Sequence, residues 1–218
     1  MHLHAALVPP PDTVRAVLDA VRATEPAPAA TFDAPAPRRR LLGRRTEAAP
    51  AGGSDPVPLL DVLDEQRVLV PITDFGYVTA QDRGRLVGAV AAACRAMTVR
   101  TVRVSGGTTL VEEGDRSVWA QLQGDPEDLG ALRDLAAGVV AGVEPVGFFC
   151  DRRQFRPRFA VATINDLTTV EHLERVLAAL DAYTSDPWRV DTVAILQRPG
   201  DRVRGSSTVH TLVPIGEG

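Results

Sequence analysis

One strand-to-helix spacing occurs twice in this chain, and it limits the fold more than any other feature. An apolar run that begins near Leu69 is followed ten residues later by Thr79, read as the N-cap of a helix whose buried stripe is Leu86, Val90, Ala93 and Met97. A second run, Phe159 to Ile164 after Arg158, is followed after the same interval by Thr168. With Glu171, Thr168 forms a capping-box pattern ahead of Leu173, Val176, Leu177 and Leu180. A repeated strand-and-helix unit predicts two similar lobes facing each other.

The remaining segments fit around that pair. Leu3 to Val8 reads as a strand stopped by Pro9-Pro10-Pro11, after which Asp12 caps a helix with Val14, Val17, Leu18 and Val21 on one face. Val99 to Val104 alternates as a strand ending at Gly106-Gly107, and Ser117 to Leu122 is a further strand carrying Trp119. Asp125-Pro126 supplies an N-cap with proline at the first helical position, opening a helix through Leu129, Leu132, Ala136 and Val139. Val190 to Leu196 and Ser207 to Val213 close the chain as strands joined by an arginine-bearing turn, Gly200 to Gly205. About eight strands and four helices, segregated in this way, predict an α+β fold.

At 218 residues and 44% hydrophobic content, the chain can bury a real core as one domain of two small lobes. A net charge of −4 argues against a diffuse basic surface for nucleic acid, while leaving room for a local basic cleft. All 24 basic residues are arginine, which reads first as codon bias. Cys94 and Cys150 lack any CxxC spacing, so neither a disulfide framework nor a zinc site is expected. The opening apolar run is too short for a signal-peptide core and no stretch reaches the length of a membrane span. A cytoplasmic protein with no membrane contact follows as the expectation. From residue 25 to 58 the composition shifts to Ala, Pro and Gly around Arg38-Arg39-Arg40 and Arg44-Arg45, read as a flexible loop. Its arginines are either a phosphate-gripping flap, a partner-docking segment or solvated charges, the last being the plainer reading.

Several short motifs, in order, resemble the 2H phosphoesterases, the family of bacterial 2′-5′ RNA ligases and RNA 2′,3′-cyclic phosphodiesterases. The opening MHLHAALVPPP is similar to the family's first strand, and Phe75-Gly76-Tyr77-Val78 resembles the segment after its first signature. Ser105-Gly106-Gly107 with Val118-Trp119-Ala120 resembles its mid-chain glycine turn and following strand. Phe155-Arg156-Pro157 resembles the lead into its second signature, and Arg189-Val190-Asp191-Thr192-Val193 a strand near its end. The resemblance implies two pseudo-symmetric lobes of antiparallel sheet backed by helices around a central cleft. Each lobe of such a protein gives the cleft one His-x-Thr or His-x-Ser, so that one imidazole takes a proton and the other gives one.

Those signature positions fall here on Leu69 and Pro71 in the first lobe and on Arg158 and Ala160 in the second. A shift of two residues puts Pro71 at the first histidine position and Thr73 at its hydroxyl. Leucine and proline transfer no proton, and an arginine, with a pKa above about 12, is never the base. The resemblance therefore implies a catalytically inactive relative. Arg158 and Arg156, on one face by strand parity, are the phosphate-binding candidates, with Arg152 or Arg153 nearby. The plainer reading pairs Arg158 with Asp74 or Asp166.

An enzyme with relocated residues would draw on Thr73, Thr163, His4 or His210. His2, His4 and His210 read as edge-strand histidines, His172 as a solvated helix position, and Trp119 and Trp188 as core. No metal and no cofactor are expected. The expected partner is a phosphate-bearing small molecule or an RNA end, and the sequence names no protein partner.

Overall fold

The computed structural model describes residues 1–26, 58–109, 116–198 and 206–216. Its strands and helices run in the order β1 (His2–Leu7), α1 (Pro11–Arg22), β2 (Leu60–Val62), β3 (Val70–Tyr77), α2 (Arg83–Arg95), β4 (Arg100–Thr109) and β5 (Ser117–Gln123). There follow α3 (Pro126–Val143), β6 (Arg158–Ile164), α4 (Val170–Ala182), β7 (Trp188–Val190), β8 (Thr192–Gln197) and β9 (Thr208–Pro214). Two antiparallel sheets result, one ordered β3-β1-β8-β9 and the other β2-β6-β5-β4-β7. The fold is α+β, with two lobes of antiparallel sheet.

The helices back the sheets in a way the repeated spacing foreshadows. After β3, α2 packs on β9 of the same sheet, and after β6, α4 packs on β4 of its own sheet. α1 leaves the first sheet and packs beside α4, β2 and β6 of the second, while α3 lies on α2 and touches both β3 and β4. These crossings tie the lobes into one core, in which Leu3, Val17, Leu86, Val139, Phe159 and Val176 are all fully buried.

Local details correct the sequence reading. α1 buries Val14, Val17, Leu18 and Val21 as expected, but Pro10 is its N-cap residue and Asp12 lies in its first turn. The fixed φ of Pro11 at the first helical position starts the helix without a side-chain cap. Thr79 bonds to Asp82 before α2 begins, and Cys94, not Ala93, joins Leu86 and Val90 in the buried stripe. For α4 the cap is Thr169, whose hydroxyl accepts from the His172 amide. Thr168 instead donates to the Leu59 carbonyl, tying this turn to the entry of β2.

β4 does not stop at Gly106-Gly107 but continues to Thr109 through a bulge. Gly106 takes φ 85°, and a Cβ on Gly107 would come within 2.8 Å of Leu180, so the two glycines let β4 bend against α4. His172 is fully buried, its Nδ1 3.2 Å from Arg175 and its Nε2 3.5 Å from Glu25, so it is no solvated position. Glu25 in turn accepts from the amides of Leu59 and Leu60, tying the end of the turn after α1 to the entry of β2. The arginine cluster at 38–45 and the turn at 200–205 lie outside the described residues. Among the described residues, no helix is long and apolar enough to cross a membrane.

Candidate functional site

A cleft of about 740 Å3 is lined by both sheets, a size suited to a small ligand. One wall comes from β1 and β3 and supplies His4, Ala5, Pro71, Ile72, Thr73 and Asp74, with Arg198 just after β8. The other comes from β5 and β6 with Trp119 and Arg158. Between them runs an irregular strip that contributes Asp151, Arg153, Gln154, Phe155 and Arg156. Four arginines against two aspartates give the lining a formal charge of +2 within a chain of net −4.

Strand pairing explains how Arg158 is held. Arg158 opposes Gln121 and Ala160 opposes Trp119, which makes Trp119 the diagonal neighbour of Arg158 on one face. The guanidinium lies 4.5 Å from the centroid of the indole ring, a cation–π contact that helps to hold a long side chain. Ala160, at the second signature's hydroxyl position, is small and sits directly across from that ring. Arg156 lines the same cleft, and its carbonyl accepts from the Arg158 amide at 2.8 Å. Trp119 is thus a cleft residue and not core, with its Nε1 sealed and unpartnered, whereas Trp188 is buried as expected.

The β1 and β3 wall is occupied with its own bonds. Pro71 is exposed on β3, an edge strand of its sheet where a missing N–H is tolerated. Thr73 is buried and donates its hydroxyl to the Asp151 carbonyl at 3.0 Å, while the Asp151 amide donates to the Asp74 carbonyl. The Asp74 carboxylate accepts from the Gly76 amide at 2.7 Å and pairs with Arg198 at 3.0 Å, with His2 3.6 Å away. Asp166 is paired with Arg116 at 3.0 Å. On the strip, Arg153 pairs with Asp151, and Arg152 turns away to Glu144 outside the cleft lining.

His4 sits on β1, an interior strand flanked by β3 and β8, so it is not an edge histidine. It is 7% exposed and lines the cleft, and its Nδ1 is sealed without a hydrogen-bond partner. Burial, reinforced by the Arg198 charge, pushes its pKa down to about 4 against the opposing pull of Asp74. The imidazole is therefore neutral at pH 7 and a weak base.

Of the residues singled out by sequence, the fold brings Pro71, Thr73, His4, Arg156 and Arg158 to one cleft. Leu69 packs instead against Ala6, Ala194 and Leu196. Thr163 is exposed near the far end of β6, opposite Asp61 and Ser117. His210 falls at the bulge of the edge strand β9, between the paired Val209 and Thr211. Among the described residues no group of three or more His, Cys, Asp or Glu could hold a metal ion. Asp74 was named only as a possible partner of Arg158, and Asp151 and Arg198 were not foreseen as cleft residues. Arg198 reaches the cleft only through the pairing of β8 with β1.

No protein-family model and no curated protein matches the chain. Solved structures do, over nearly the whole length. TT0787 of Thermus thermophilus is 16% identical over 100% of both chains with a TM-score of 0.61. A structure described as a phosphoesterase is 14% identical over 99% of this chain and 98% of its own, with a TM-score of 0.63. E. coli LigT complexed with 3′-AMP is likewise 14% identical over 99% and 98%, also at 0.63. With this topology and these full-length matches, the chain has the fold of the 2H phosphoesterases.

Proposed function

We propose that the cleft binds a phosphate-bearing ligand, a nucleotide or an RNA end, without the two-imidazole chemistry of cyclic phosphodiesterases and 2′-5′ RNA ligases. The observation that carries this reading is Arg158, stacked on Trp119 at the place where the second signature would put a histidine. Stacking uses the guanidinium's face and hydrogen bonding its edge, so the two are compatible, and the fork suits a phosphate. At the other signature, Pro71 cannot move a proton and the Thr73 hydroxyl is already donated to Asp151. Structures of LigT with 3′-AMP, ATP, NADP+ and phosphate support a phosphate-bearing ligand for this fold. The two buried free thiols, Cys94 and Cys150, fit a reducing compartment such as the cytoplasm, and burial pushes both up to about 11.

The test pairs turnover with binding. An oligoribonucleotide ending in a 2′,3′-cyclic phosphate is offered to wild type and Arg158→Ala, and 3′-AMP binding is followed by calorimetry. The expected result is no hydrolysis by either protein and a loss of affinity of about 10- to 100-fold in Arg158→Ala, the range for a charge-assisted hydrogen bond. Turnover that survives repurification would overturn the inactive reading and favour an enzyme using relocated groups, of which His4 alone is an imidazole among the described cleft residues.

A further inference from the structure

Beyond Arg158, the cleft holds a polar ring placed where a hydrophobic strand residue would pack. His4 projects from an interior strand into the cleft, is nine-tenths buried, and has one ring nitrogen sealed without donor or acceptor. A buried bare nitrogen is better tolerated than a buried orphan N–H, so the neutral ring keeps Nδ1 bare and carries its hydrogen on Nε2. An unsatisfied polar ring in this position is costly unless a ligand uses it.

We propose that His4 and Arg158 are the two lobes' contributions to one oxyanion site, with Arg158 the fixed cation and His4 the group that gains a proton when the anion arrives. The proposal rests on the phosphate-binding reading above and adds a coupling to it. Burial first, and then the charge of Arg198 just after β8, keeps His4 neutral, while Arg153, Arg156 and Arg158 line the same cleft from the strip and β6. On its own strand, His2 also opposes protonation. The carboxylate best placed to favour a charged ring, Asp74 on β3, is already shared by Arg198, the Gly76 amide and His2. Asp151 is likewise taken by Arg153. A tetrahedral oxyanion brings negative charge beside the ring, and the imidazole takes up a proton from solvent as the anion binds, the cost of an N–H at the sealed Nδ1 being offset by that charge. Linkage requires the converse, that acid strengthens anion binding.

Sulfate is the probe, because its own charge is constant between pH 5 and 8. Its affinity is measured calorimetrically at half-unit intervals in that range for wild type, His4→Gln, His2→Gln and Arg158→Ala. The ring resonances of His4 are followed by NMR in wild type with and without sulfate. The expected result is an affinity that rises at least about tenfold from pH 7 to pH 5 in wild type and His2→Gln, and stays flat in His4→Gln. His4 should titrate at higher pH with sulfate than without. A flat wild-type profile, or a His4 resonance unmoved by sulfate, would overturn the coupling while binding that still needs Arg158 leaves the phosphate reading standing. No sulfate binding by wild type at any pH would overturn both.

Discussion

The two walls of the cleft come from lobes built on the same strand-and-helix plan, yet they use their polar residues in opposite ways. On the β1 and β3 side, Thr73 spends its hydroxyl on Asp151, Asp74 is divided among three partners, and His4 is a neutral buried ring. On the β5 and β6 side, Arg158 is a permanent charge held over an aromatic face, with Arg156 beside it. Similar backbone placement therefore does not give similar chemistry. The first wall fastens the strip at Asp151 to its sheet, and in the proposed reading the second wall, with His4 opposite, takes the ligand. Substitutions on the first wall should be read mainly in stability, and substitutions on the second mainly in affinity.

The largest stability effect expected of the first wall is a pH dependence centred on His4. Its pKa is about 4 in the folded chain against 6.5 when unfolded, so between these values the unfolded state binds more protons. The stability that His4 retains above pH 6.5 is lost as the pH falls through that window towards 4. From pH 7 to pH 5 the loss is about 2 kcal/mol, which His4→Gln should remove from the pH profile of urea unfolding. Parallel profiles for the two proteins would show that the ring is not held neutral by burial. Next in size is Thr73→Val, which keeps the shape but strands the Asp151 carbonyl. It should cost roughly 1 to 2 kcal/mol in urea unfolding with a change of less than about threefold in 3′-AMP affinity at pH 7. A larger loss of affinity than of stability would move Thr73 to the ligand-binding side of the comparison.

Legibility in the sequence followed the same division. Arg156 and Arg158 line one cleft, but strand parity is not the reason, because Arg156 lies in the irregular strip before β6. The buried stripe of α1 was plain, since Val14, Val17, Leu18 and Val21 repeat at helical spacing. Where a residue's role depends on its neighbours across the sheet, the sequence was silent or misleading. Trp119 looks like core until its pairing with Ala160 turns it beside Arg158. His4 looks like an edge residue until β8 pairs on the far side of β1. His172 follows an exposed glutamate in a capping pattern, and only the docking of Glu25 and α1 against α4 buries it. The α4 cap moved by one residue for a related reason, the Thr168 hydroxyl being drawn off to Leu59.

Trp119 offers the smallest and sharpest test of the contrast. Trp119→Leu removes the ring under Arg158 while leaving an apolar side chain to cover the sheet. The indole Nε1 is sealed without a partner, so losing it sacrifices no hydrogen bond. A cation–π contact of this partly desolvated kind is worth about 0.5 to 1 kcal/mol, which predicts a two- to fivefold weaker 3′-AMP affinity. Arg158→Ala combined with Trp119→Leu should then bind no worse than Arg158→Ala alone, because the ring acts through the guanidinium it positions. If the double variant is weaker than Arg158→Ala by the same factor, the ring touches the ligand directly. The second wall would then hold two ligand contacts, with the indole face serving as a platform for the group that carries the phosphate.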